Sequence, residues 1–237
     1  FIMQEEKLKL EDLLESSKTA KIDDDRINSV AIIGAGIMGR GIAQTVAAMG
    51  LEVIVVELDN ERLENAKVQL TESIDREIKR WAMTKSDKKA IFGRIKWVID
   101  PNAIKDSEII IEAVQEDFDL KVSVFKQYDK IANPETIFVS NTSTLSLTKI
   151  SESISRPSKV IGIHFLNPVP KIPMVELVKG LHTSNETVLK VKEFASRIGK
   201  TPVEVYEYPG FITTRAIVPL INEAMHILLE GIATAKD

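Results

Sequence analysis

The sequence predicts a doubly wound α/β fold, a mostly parallel sheet wrapped by helices, leading into the start of an all-helical domain. Three observations predict it. From Ser29 onward, short runs apolar on both faces alternate with helical stretches, the pattern of strands buried in a parallel sheet. A glycine cluster joins the first run to the first helix. After Pro209–Gly210 the alternation gives way to one long stretch with apolar residues at helical spacing.

Residues 1–28 lie outside the pattern and read as an N-terminal extension or linker. Leu10, Leu13 and Leu14 could line a short helix, and ESSKTAKIDDDRIN (15–28) is a polar linker. The charged start carries no signal-peptide pattern. SVAIIG is the first strand, Ile37 to Met49 the first helix, stopped by Gly50, and EVIVVE the second strand. A charged helical arm covers 60–95, as two helices broken near Thr84–Asp87. SEIIIEAV, TIFVSN and KVIGIHF are further strands, separated by helices near 118–131 and 146–154. MVELVKG, a helix near 186–199 and TPVEVYEY complete a domain over 29–208. In 209–237, Ile217, Leu220, Ile221, Ala224, Met225, Leu228 and Leu229 share a helix face, with Gly231 as C-cap. Little sequence follows to cover that face. The expectation is that the chain stops inside a second helical domain, or that a partner subunit supplies the cover.

Composition narrows the function classes. A net charge of −4 argues against non-specific nucleic-acid binding, which needs a basic surface. No stretch approaches the roughly 18 apolar residues of a membrane span. Cysteine is absent, so there is no disulfide, thiol chemistry or thiolate metal site. No metal is expected, and a cytoplasmic location fits.

IIGAGIMGRG places Gly34, Gly36 and Gly39 in G-x-G-x-x-G spacing between a strand and a helix. Gly34 allows the tight turn, Gly36 lets the backbone approach a pyrophosphate, and Gly39 permits close helix–strand contact. The pyrophosphate would sit on amides of the segment Ala35, Ile37 and Met38, at the helix N-terminus. Glu57 ends the second strand where an acidic group meets adenosine ribose hydroxyls, and its charge favours NAD over NADP. A glycine-rich turn beside a solvated carboxylate is the bland alternative. The context favours a Rossmann-type dinucleotide site.

Two other stretches carry chemistry. IGIHFLNPVP ends a buried strand on His164, either a core histidine or a proton carrier at the mouth of a site. DREIKRWAMTKSDKKAIFGRIK holds eight Lys or Arg against three acids, either a solvated face or a surface for a polyphosphate ligand.

The ordered motifs GAGIMGRGIAQ, VVE, EAVQED, SNTSTLS, HFLNPVP, MVELV and PGFITTR resemble those of the L-3-hydroxyacyl-CoA dehydrogenase family, which includes 3-hydroxybutyryl-CoA dehydrogenases. The wording around Glu57, EAVQED and LLEG is most similar to the dehydrogenase part of multifunctional β-oxidation enzymes, where a fused enoyl-CoA hydratase precedes it. The resemblance implies NAD-dependent oxidation of an (S)-3-hydroxyacyl-CoA in fatty-acid metabolism. It implies His164 as catalytic base, Glu176 as its carboxylate partner, and Ser143 as a donor to the substrate 3-oxygen near the nicotinamide. Asn141 and Asn167 fall on motif positions, Asn167 shaping the loop beside His164. Glu116 and Lys121 fall where the family contacts the nicotinamide half of NAD. Without the resemblance, Ser143 would read as a helix N-cap and Lys121 as a solvated helix face. Ser73 and Arg80 match the family's coenzyme A contacts, Arg80 standing where a lysine is usual. His182 and His226 match nothing and read as surface and helix histidines.

The family has Asn where Thr214 stands here, within the catalytic group. Threonine lacks an amide's paired donor and acceptor, and loss of one donor to developing charge costs roughly 10²–10³ in turnover. The family also continues with helices that close the cleft and form a homodimer. Two alternatives stand beside the leading reading. One is an L-gulonate-type sugar-acid dehydrogenase, against which the basic arm favours coenzyme A. The other is a non-catalytic NAD-binding protein, supported by Thr214.

Overall fold

The computed structural model describes residues 26–237. The expected helix around Leu10 to Leu14 and most of the 15–28 linker lie outside the described residues. The sheet is built from β1 (Ser29–Ile33), β2 (Glu52–Val56), β3 (Ile95–Val98), β4 (Ile109–Glu112), β5 (Ile137–Ser140), β6 (Val160–Phe165), β7 (Met174–Lys179) and β8 (Thr201–Tyr206). Its order is β3-β2-β1-β4-β5-β6-β7-β8. The first six strands run parallel in the 3-2-1-4-5-6 order of a Rossmann sheet. β7 then pairs antiparallel to β6, and β8 parallel to β7.

The helices are α1 (Ile37–Ala48), α2 (Asn60–Lys79), α3 (Lys85–Arg94), α4 (Phe118–Asp129), α5 (Leu147–Ser151), α6 (Asn185–Arg197) and α7 (Thr213–Leu229). Their starts follow local chemistry. Asp59, Asp117 and Ser184 cap α2, α4 and α6 through their side-chain oxygens. Thr84 and Asp87 make a reciprocal capping box that opens α3. One core packs α1 and α6 on one face of the sheet, through Ile42, Val46, Val191 and Phe194. A second packs α4 and α5 on the other face, through Phe125, Tyr128 and Ile150. Burying each such side chain stabilises the fold by about 1.5–3 kcal/mol.

β3 corrects the sequence reading, which ran the helical arm to residue 95. Four residues at a sheet edge, with Lys96 exposed between Ile95 and Trp97, are too short to show a period of two. Between α2 and α3 the chain turns through Trp81 at φ 58°. On α7, Ile217, Leu220, Ile221, Met225, Leu228 and Leu229 are all exposed. No described helix is long and apolar enough to cross a membrane.

Candidate active site

The carboxyl ends of β1, β2, β4, β5 and β6 share one edge of the sheet, the edge where open α/β sheets bind ligands. At β1 the chain turns through Gly34 at φ 91°, a conformation that disfavours any side chain. A Cβ on Gly39 would lie 1.9 Å from the Gly34 carbonyl oxygen, so α1 approaches the turn as closely as it does only with glycine there. A Cβ on Gly36 would meet nothing within 4 Å. Gly36 is also the N-cap of α1, with no side-chain cap and no acid in the first turn. Uncapped amides facing open space at a helix N-terminus suit a pyrophosphate.

Beside this turn lies a cavity of about 410 Å³, lined among others by Gly34, Gly36, Glu57, Arg62, Val114 and Gln127. Glu57 accepts from the amides of Ala35 (2.6 Å) and Leu58 (3.1 Å). Ala35 is buried, Ile37 is exposed at the start of α1, and Met38 packs against the core. The residues present therefore fit a dinucleotide, with an acid at the ribose end and free amides at the phosphate end.

At β6 the antiparallel register sets His164 directly opposite Glu176. His164 Nδ1 lies 2.6 Å from Glu176 Oε2, with the two residues only 6 % and 1 % exposed. Glu176 Oε1 also accepts from the amides of Ile212 (2.9 Å) and Thr213 (3.0 Å), and Oε2 from the Thr213 hydroxyl (2.7 Å). Burial alone would push this carboxyl up. The hydrogen bonds from His164, Thr213 and Ile212 outweigh it and hold Glu176 below the usual carboxylate range. The Phe211 ring meets the imidazole edge-on at 5.6 Å. Among the described residues, His164 Nε2 makes no hydrogen bond. An imidazole buried on a carboxylate, with its second nitrogen open, can take up and return a proton.

The loop after β5 stands between these two places. Asn141 accepts from the Phe165 amide (3.0 Å), tying the loop to β6 beside His164. Ser143 donates its amide to Glu116 (2.8 Å), while its hydroxyl makes no hydrogen bond among the described residues. The N-cap of the following helix is Ser146, not Ser143. Glu116 also accepts from Thr142 Oγ1 (2.5 Å) and the Thr144 amide (3.2 Å). Burial pushes Glu116 up, but Thr142, Lys121 and Ser143 together hold it below its usual range. Lys121 lies on no solvated face. It is fully buried, and its ammonium meets Glu112 (2.6 Å), Glu116 (3.2 Å) and the Val114 carbonyl (3.4 Å). Burial raises the Glu112 carboxyl against the pull of Lys121.

The coenzyme A candidates separate. Ser73, on α2, and Asn167, before the cis Pro168, line one cavity of about 460 Å³ with Arg40, Gln44 and Arg76. Arg80 is the exposed C-cap of α2 and does not line it. Thr214 sits in the first turn of α7, and its hydroxyl makes no hydrogen bond among the described residues. Its neighbour Thr213 is the residue that reaches the His164–Glu176 pair. Sequence reasoning missed Thr213 and Arg76. PGFITTR contained Thr213, but only the fold of 209–213 over β7 shows which threonine points inward. His182 lies at the surface, 3.2 Å from Glu152. No group of three or more metal-binding side chains converges among the described residues.

Comparison with known proteins is specific. The family model for the 3-hydroxyacyl-CoA dehydrogenase NAD binding domain matches residues 29–208. A probable 3-hydroxybutyryl-CoA dehydrogenase of Bacillus subtilis (strain 168) is 40% identical over 207 residues, covering 87% of this chain and 72% of the relative. The crystal structure of (S)-3-hydroxybutyryl-CoA dehydrogenase from Ralstonia eutropha superposes with TM-score 0.83 at 41% identity, covering 89% of this chain and 74% of that one. The fatty acid oxidation complex subunit alpha of Colwellia psychrerythraea is 32% identical over 216 residues, which are 91% of this chain and 30% of that protein.

Proposed function

This chain belongs to the 3-hydroxyacyl-CoA dehydrogenase family, and we propose that it oxidises (S)-3-hydroxyacyl-CoA to 3-oxoacyl-CoA with His164 as general acid/base. It is an NAD-dependent oxidoreductase. The observation that carries the reading is the buried His164–Glu176 pair at 2.6 Å, open at Nε2, on the same sheet edge as the glycine turn.

In this reading the free amides at the start of α1 from Gly36 onward hold the pyrophosphate, Glu57 the ribose hydroxyls, and Glu116 and Asn141 order the loop at the nicotinamide end. Bound NAD supplies the hydride acceptor. His164 Nε2 takes the 3-hydroxyl proton as the hydride leaves the same carbon, and returns it in the reverse direction. Glu176 fixes the imidazole tautomer through Nδ1 and stabilises the imidazolium that forms. The free Ser143 hydroxyl donates to the 3-oxygen. Ser73 and Arg76 line the route for the coenzyme A arm, with Arg80 reaching outward from the same helix.

The domain division at 208–209 belongs to the same reading, as do a cytoplasmic location and a homodimer that buries the apolar side of α7. An associated enoyl-CoA hydratase accords with the similarity to a fatty acid oxidation complex subunit. The test is NADH consumption with acetoacetyl-CoA, for the protein and for Thr214→Asn side by side. Turnover by the unmodified protein is expected, with a gain for the Asn variant, which restores the amide that the family carries at that position. NADH binding without turnover in either would overturn the reading in favour of a non-catalytic NAD-binding role or another substrate.

A further inference from the structure

One charged side chain outside the groups above ties several of them together. Glu207 lies just past β8, in the connection that leads to α7. Its Oε1 accepts from the Ser146 hydroxyl (2.5 Å), and its Oε2 from the Thr148 amide (2.9 Å) and hydroxyl (2.5 Å). Ser146 is the N-cap of α5, at the end of the loop that carries Ser143. Thr148 Oγ1 in turn accepts from the Leu181 amide (3.0 Å), in the turn after β7. One carboxylate therefore joins the Ser143 loop, the end of the Glu176 strand and the connection to α7.

That connection leads straight to the dyad. Four residues past Glu207, Phe211 packs edge-on to His164. The next two residues, Ile212 and Thr213, donate their amides to Glu176. These segments also share a small buried apolar cluster of Leu147, Val178, Val205 and Phe211. They border a cavity of about 430 Å³ lined by Thr144, Leu181, Tyr206, Tyr208 and Phe211 among others. Beside that cluster and at the edge of the cavity, the hydrogen bonds to Glu207 fix where the Ser146–Thr148 turn sits against the connection.

We propose that Glu207 is a positioning residue of the active site, holding the Ser143 loop and the 208–213 connection at the spacing that the His164–Glu176 pair needs. The role in turnover rests on the dehydrogenase reading above. A carboxylate serving only to cap α5 would lower stability when removed and leave the histidine environment unchanged.

The experiment compares Glu207→Ala, Glu207→Gln and Thr148→Val in the intact protein. It measures kcat and KM with acetoacetyl-CoA, NADH binding, and the low-field proton NMR signal of His164 Nδ1–H, assigned by its loss in His164→Gln. Glu207→Ala is expected to keep NADH binding, lower kcat by about 10²-fold, and shift or broaden the His164 signal, since a displacement of about 1 Å has that cost. Glu207→Gln retains an acceptor and should recover part of the loss. Thr148→Val should move both readouts in the same direction by less. If Glu207→Ala no longer binds NADH, Thr148→Val decides alone. An unchanged kcat and an unchanged His164 signal in the variant that still binds NADH overturn the proposal. If the unmodified protein does not turn over acetoacetyl-CoA, the dehydrogenase reading fails by itself. The NMR signal then judges the positioning role, supporting it if shifted and overturning it if not.

Discussion

Two buried charged clusters stand at the same edge of the sheet, and they are finished in opposite ways. At the end of β4, Lys121 places its ammonium among Glu112, Glu116 and the Val114 carbonyl. Glu112 is closed as well, accepting from Ser140 Oγ (2.7 Å) and the Val114 amide (2.8 Å). An ammonium with three donors and three acceptors has nothing left to offer. At the end of β6, Glu176 is saturated just as fully by His164, Thr213 and Ile212. Its partner is not, because an imidazole has two nitrogens and only Nδ1 is engaged. A closed cluster holds a loop still, whereas a cluster with one open nitrogen can exchange a proton. The contrast is between a cluster whose hydrogen-bonding capacity is used up and one that keeps a nitrogen free.

The sharpest way to break the comparison is to remove the open group. His164→Gln should keep the fold and NADH binding while kcat falls on the order of 10²–10⁴-fold, the usual contribution of a general acid/base. A loss of NADH binding instead would make His164 a structural residue like Lys121. The reciprocal change is Lys121→Met, which leaves Glu112 buried at 1 % exposure without its cation. Removing one partner of a buried pair costs roughly 3–5 kcal/mol, so thermal unfolding should show the loss directly. Adding Glu112→Gln should return much of that stability. If Lys121→Met unfolds at the same temperature as the unmodified protein, the closed cluster contributes nothing to the fold.

How much of this was readable in the sequence follows from what each cluster is made of. The glycine turn and Glu57 were legible because the whole device is contiguous, a strand, a turn and a helix with fixed offsets. The alternation of buried runs gave the doubly wound sheet, but not the strand at Ile95–Val98, which is too short to carry a period. His164 was conspicuous as a histidine at a strand end, and its pairing with Glu176 came only from the resemblance. Residue spacing alone is silent about it, since the contact depends on β7 reversing direction beside β6. Taken alone Lys121 would read as surface, because a single lysine on an amphipathic helix normally is, and only the resemblance placed it at the cofactor. Its burial depends on Glu112, nine positions back on a strand, turning toward it. Thr213 and Glu207 went unread for the same reason: both act across 37 to 61 positions of sequence.

The subtlest difference between the clusters is the sign of their response to acid. Glu176 has a folded pKa below its ordinary value, because its hydrogen bonds outweigh its burial. The stability it contributes is therefore fully present above the unfolded value, about 4.3 for a glutamate, and is lost as pH falls through the depressed folded value. Glu112 has a folded pKa above its ordinary value, with burial the leading cause. Relative to acid, its ionisation reduces stability as pH rises from the unfolded value through the raised folded one. The two carboxylates thus act with opposite sign on either side of about pH 4.3, Glu176 below it and Glu112 above it. Glu176→Gln should flatten the decline of stability below about pH 4.3, whereas Glu112→Gln should remove the loss of stability that Glu112 ionisation causes as pH rises above it. Urea unfolding from pH 3 to 7, on both variants and the unmodified protein, reads this directly. Slopes that change in the same direction in both variants would mean that the two clusters share one electrostatic environment, and that only the free nitrogen of His164 distinguishes them.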